Sequence, residues 1–131
     1  MSNLNASSDH LRQAALRGDG AEIEALLSSG ADVNAGDANG FTALHLAAQE
    51  CQVNAARVLL EGGAFVDQKN RFGNTPLFVA VFNSRGRGEM IKLLRSNGAD
   101  PGAENGSGQT PLGLARLIAN HDVKIHFLDL E

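Results

Sequence analysis

The sequence contains neither tryptophan nor tyrosine, so its packing does not depend on large polar aromatics. A single cysteine, Cys51, excludes an internal disulfide. Charges and glycines interrupt every apolar stretch well before the ~20 residues needed to span a bilayer. Met1 to His10 has no basic segment followed by an apolar run, so nothing resembles a secretion signal, and a cytoplasmic setting is the expectation. Nor is there an excess of one charge: 11 Lys and Arg face 15 Asp and Glu, for a net charge of −4. This is the profile of a soluble globular protein, and it argues against a chain that coats nucleic acid. At 131 residues the chain is one domain, too short for a core plus a separate functional domain.

What is abundant is glycine, at 15 residues, which implies many tight backbone positions between small, closely packed elements. Self-comparison shows where they fall. The block Gly40-Phe41-Thr42-Ala43-Leu44-His45-Leu46-Ala47-Ala48 returns as Gly73-Asn74-Thr75-Pro76-Leu77-Phe78-Val79-Ala80-Val81 and as Gly108-Gln109-Thr110-Pro111-Leu112-Gly113-Leu114-Ala115-Arg116, at spacings of 33 and 35 residues. A second marker keeps the same offsets: Leu26 to Gly30-Ala31-Asp32, Leu59 to Gly63-Ala64-Phe65, and Leu94 to Gly98-Ala99-Asp100. Two markers sharing one period define a repeat.

Each block has a local physical meaning. Thr42, Thr75 and Thr110 stand where a hydroxyl accepts from an orphan amide of a first helical turn. Pro76 and Pro111 follow at the first helical position, where a missing N–H costs nothing. Ile23, Leu26 and Leu27, and then Ala56, Leu59 and Leu60, lie at helical spacing and predict a second helix per unit. Gly30, Gly63 and Gly98 end those helices in the left-handed conformation. Asp37-Ala38-Asn39-Gly40, Asn70-Arg71-Phe72-Gly73 and Asn105-Gly106-Ser107-Gly108 are turn-forming quartets that predict projecting tips between units.

The combined pattern, D-x-x-G-x-T-P-L-H-x-A-A followed by L-L-x-x-G-A-D, resembles the ankyrin repeat from about Leu11 to the C-terminus. The resemblance implies an all-α solenoid of about four helix-turn-helix units joined by β-hairpin-like turns. The expected units are about 8–36 as an N-terminal cap, 37–69, 70–104, and 105–131 as a C-terminal cap. His10 to Ala15 lacks a preceding turn quartet, so the first unit is expected to be a helix pair without a tip. Ile118, Val123, Ile125, Phe127 and Leu130 are expected to cover the open end of the stack. Unit three carries two extra residues within Asn83 to Glu89, either a tolerated loop insertion or a basic contact loop for an acidic partner. Arg71, Arg85, Arg87, Lys92 and Arg95 make this stretch positive, while the chain before Gly62 is mostly acidic.

No catalytic or metal-binding constellation emerges, so the expectation is a non-enzymatic protein without cofactor or metal. His45 belongs to the repeat framework and should bond within it. His121 and His126 are five apart, about 140° around a helix, and so are not placed to share a metal. Cys51 occupies a turn position where the repeat prefers glycine and has no basic neighbour to create a thiolate. The Gly-rich Arg85 to Gly88 lacks the Lys and Ser/Thr of a phosphate loop.

The resemblance places recognition on the concave face, where tips and first helices line up. The candidate contact residues are those that vary between copies there: Arg17, Ala38, Asn39, Phe41, Gln49, Glu50, Arg71, Phe72, Asn74, Phe82, Asn83, Ser107 and Gln109. Phe41, Phe72 and Phe82 are either interface anchors or rings tucked against a neighbouring unit. The implied partner is another protein, with neither nucleic acid nor membrane involved, and the stack itself is expected to be monomeric. The run from Thr110 to Leu130 also resembles the ending of small stand-alone bacterial ankyrin proteins, some of which are immunity proteins that block a toxin. An inhibitor that occludes a toxin's active site is one expectation, and a scaffold or regulatory adaptor is the alternative.

Overall fold

The computed structural model describes the backbone of residues 3–85, 87–118 and 121–130. Its elements are α1 (Asn3–Arg17), α2 (Gly20–Ser28), α3 (Ala43–Gln49), α4 (Val53–Glu61), α5 (Pro76–Phe82), α6 (Glu89–Ser96), α7 (Pro111–Leu117) and α8 (His121–Lys124), followed by a 3₁₀ helix (Ile125–Leu130). The three inner helices after α1 begin alike. The hydroxyl of Thr42 accepts from the His45 N–H at 3.3 Å, that of Thr75 from Phe78 at 3.3 Å, and that of Thr110 from Gly113 at 2.9 Å. Helices this short are marginal alone, so the caps fix their start and packing keeps them formed.

The helices stack in two rows: α1 on α3 on α5 on α7 inside, and α2 on α4 on α6 outside. Ala14, Ala47, Ala80 and Ala115 occupy one register position and are each no more than 1% exposed, which lets the inner helices approach closely. Leu11, Ile23, Leu44, Leu59, Leu77, Ile91 and Leu94 fill the space between the rows. The core is therefore one strip running the length of the stack, and each unit depends on its neighbours.

Every tip is built by one acceptor. Asp37 Oδ1 receives the N–H groups of Asn39 and Phe41, Asn70 Oδ1 those of Phe72 and Asn74, and Asn105 Oδ1 those of Ser107 and Gln109. Gly40, Gly73 and Gly108 close the turns back onto the same residues. The tips are hairpin-like in shape, but among the described residues no strand forms, because each ladder is a single pair long. Successive tips also bond to one another, Arg71 N–H to the Asn39 carbonyl and Gly106 N–H to the Phe72 carbonyl, both at 2.9 Å.

At the turn between α3 and α4, Cys51 is held at φ +55°, whereas Gly18 fills the corresponding turn of the first unit at φ +78°. A side chain in this conformation costs about 1–2 kcal/mol. Cys51 is half-buried, and its thiol makes only a long contact, 3.7 Å to the Asn83 carbonyl. Cys51→Gly is accordingly expected to stabilise the protein by up to about 1 kcal/mol after the added chain entropy is set against the strain. Urea titration of the two proteins checks this, and a lower midpoint for the variant would contradict it.

The C-terminal end departs from expectation in part. Val123 and Phe127 are buried and cover the stack, and Ile118 is half-buried. Ile125 and Leu130 instead remain 40% and 37% exposed. With three residues per turn, Ile125 lies on a different side of the 3₁₀ helix from Phe127, while Leu130 shares the Phe127 side but lies one turn further along. Arg95 holds the segment down: its guanidinium donates to both Asp129 carboxylate oxygens at 2.7 and 2.9 Å and to the His126 carbonyl at 2.7 Å, and lies 5.5 Å from the centre of the Phe127 ring. Hydrogen bonds from Arg95 keep the Asp129 carboxylate below its usual range. The side chain of His121 lies outside the described residues, and so does its expected separation from His126.

Candidate functional site

The inner face carries an open groove of about 300 Å³ between units two and three. Its walls are Phe41, Gln49, Asn74, Phe78, Val79, Phe82 and Asn83. Helix α3 contributes Gln49 from its last turn, α5 contributes Phe78, Val79 and Phe82, and the bases of two tips contribute Phe41 and Asn74. The floor is aromatic and the rim is carboxamide. An apolar centre with a polar rim suits a protein side chain better than a charged metabolite.

The rim is fixed by His45, which is fully buried beneath it. Its Nε2 lies 2.8 Å from the Asn74 carbonyl, and its Nδ1 lies 3.2 Å from the Thr42 amide nitrogen. These partners assign the neutral ring, with Nε2–H donating and Nδ1 accepting. Burial lowers the His45 pKa from the usual 6.5, against the opposing pull of the Asn74 carbonyl and the Asp37 charge. One buried ring thus ties the start of α3 to the groove edge of the next unit.

Of the candidate contact residues, Phe41, Gln49, Asn74, Phe82 and Asn83 converge on the groove. Asn39, Arg71 and Phe72 form an adjoining cluster on the tips. Arg71 Nη1 donates to Asn39 Oδ1 at 3.2 Å, its guanidinium sits 5.8 Å from the centre of the Phe72 ring, and Phe72 meets Phe41 edge-on at 6.5 Å. The three phenylalanines divide as follows. Phe41 is half-buried against the core and contacts His45 edge-on at 5.6 Å, whereas Phe72 and Phe82 are 51% and 68% exposed. Glu50 is exposed beside the groove and accepts from Gln49 Nε2 at 3.1 Å.

Arg17, Gln109, Ala38 and Ser107 do not line the groove. Arg17 reaches 3.9 Å from Glu22 across the first inter-helix turn, and the other three are exposed on tips. Phe78 and Val79 belong to the site although neither is among the candidate contact residues. The available signal for Phe78 is the substitution itself, since it stands where His45 stands in unit two and Gly113 in unit four. Among the described residues no group of three or more His, Cys, Asp or Glu is arranged to hold a metal ion, and no helix is long and apolar enough to cross a membrane.

A solenoid of helix pairs with an apolar groove on its inner face defines a repeat-type interaction module. The chain belongs to the ankyrin-repeat family, whose profile, described as ankyrin repeats (3 copies), matches residues 11–105. It is 44% identical over 82 residues to the mouse nuclear factor NF-kappa-B p105 subunit, covering 61% of this chain and 8% of that protein. It is 40% identical over 98 residues to the Drosophila melanogaster neurogenic locus Notch protein, covering 74% of this chain and 4% of that protein. It is 39% identical over 126 residues to human BCL-6 corepressor-like protein 1, covering 91% of this chain and 7% of that protein. The chain thus spans less than a tenth of the length of each of these relatives. Ankyrin repeats are protein-binding modules, generally without enzymatic activity.

Proposed function

We propose that this chain, one stack built from units near 8–36, 37–69, 70–104 and 105–131, holds a partner protein against the groove between units two and three. The partner-binding residues are those of the groove, with the Asn39, Arg71 and Phe72 tip cluster beside it. Phe82 carries the reading: a large aromatic ring 68% exposed on a folded helix, beside an apolar groove, contributes little to the core and is placed to anchor a partner. Phe82→Ser is expected to weaken partner binding by at least about 2 kcal/mol, roughly 30-fold, while the melting temperature stays within a few degrees. Isothermal titration against the partner, with a thermal melt as control, tests this. Undiminished affinity would remove the groove from the interface.

Two roles fit such a module. An immunity protein would occlude a toxin's active site with this face, and its support is the likeness of Thr110 to Leu130 to small bacterial ankyrin proteins. A regulatory adaptor would use the same face inside a larger assembly, and the names of the relatives, a nuclear factor subunit and a corepressor-like protein, favour that role. Co-expression separates them. An immunity protein restores growth to cells producing its toxin and loses that ability with Phe82→Ser, whereas an adaptor restores none.

A further inference from the structure

We infer that the segment captured by this groove is acidic: a stretch of protein that sets a large apolar side chain among Phe41, Phe78 and Phe82 and directs carboxylates toward unit three. The inference rests on the groove being the binding face and adds the chemistry of what it selects.

Charge is distributed unevenly around the groove. From Lys69 to Ser96 the chain carries Lys69, Arg71, Arg85, Arg87, Lys92 and Arg95 against Glu89 alone. Arg95 is committed to Asp129, on the C-terminal cap. Arg71, Arg85 and Arg87 are exposed and make no salt bridge among the described residues. Their places in the chain bracket the groove. Arg71 lies on the tip that leads into Asn74, and Arg85 and Arg87 follow directly after Phe82 and Asn83 at the end of α5.

Arg85 and Arg87 follow a backbone anchor at Ser84. Ser84 is buried, its N–H donates to the Val81 carbonyl at 3.3 Å, and its carbonyl accepts from the Arg87 N–H at 2.9 Å. The segment that is longer in this unit therefore brings two exposed cations within five residues of Phe82 along the chain. On the opposite wall Glu50 is exposed beside Gln49, so a bound carboxylate is repelled from unit two and drawn to unit three. Opposed charges on the two walls give the captured segment a direction as well as a sign.

Panning a random peptide library on the full chain, with Phe82→Ser as counter-selection, tests this directly. The expected outcome is enrichment of peptides that pair an aromatic or long aliphatic residue with flanking Asp or Glu. Their affinity should fall at least about tenfold in the double variant Arg85→Glu/Arg87→Glu and should weaken as salt rises. Binders that need Phe82 but are uncharged or basic would overturn the acidic specificity while leaving the groove as the binding face. Failure to select any peptide that distinguishes the chain from Phe82→Ser would overturn both. Unchanged melting temperatures of both variants establish that the folded protein is being compared.

Discussion

Gly73→Ala is expected to destabilise the protein by about 3 kcal/mol or more, lowering its melting temperature by roughly 10 °C. Two effects add. Gly73 sits at φ +78°, where any Cβ is strained by about 1–2 kcal/mol. The new carbon would also lie 2.7 Å from the Gly106 amide nitrogen and 3.0 Å from the Asn105 Cα. Both are backbone atoms of the next tip, with no side chain to swing aside, so the two tips must separate. Gly63 supplies the control. At φ +97° it shares the conformational strain but has nothing within 4 Å of its Cβ position, so Gly63→Ala is expected to cost only about 1–2 kcal/mol. Chemical denaturation of the pair isolates the close approach of the tips. Equal losses would mean that the stack does not depend on tip-to-tip contact at unit three.

That contrast shows which parts of the fold are legible in the sequence. Caps and turns are, because their chemistry is local: Thr42, Thr75 and Thr110 bond three residues ahead, and Asp37, Asn70 and Asn105 bond two and four residues ahead. Repetition then turns local signals into a global arrangement, since identical units offset by one period stack on themselves. The groove is only half legible. Variation between copies points to Phe41, Gln49, Asn74, Phe82 and Asn83, but Phe78 and Val79 lie in the repeated block and read as framework. Their exposure to the groove depends on the side chains of unit two, which no pattern inside unit three encodes. The end of the chain escapes the pattern for a related reason. Ile125 is expected to cover the stack, but the three-residue winding after α8 turns it away from the side that Phe127 presents.

His45→Ala carries an expected loss of about 3–5 kcal/mol, because the substitution empties a buried site and strands a buried N–H. The Thr42 N–H would lose its acceptor, at about 1–3 kcal/mol for an unsatisfied buried group, the Asn74 carbonyl would keep only the Asn70 N–H, and the vacated volume adds to this. The titration of the ring gives a sharper test. Burial places the folded-state pKa below the 6.5 of the free side chain, so below pH 6.5 the unfolded chain binds the proton more readily than the folded one. The contribution of the neutral ring is therefore complete above pH 6.5 and is lost progressively as the pH falls beneath it. His45→Phe, which borrows the residue found at position 78, removes this proton uptake. The stability difference between wild type and His45→Phe should be flat above pH 6.5 and should shift against the wild type below it, as read by urea titration across the range. A difference that stays constant through mild acid would mean that the ring does not titrate below its ordinary value.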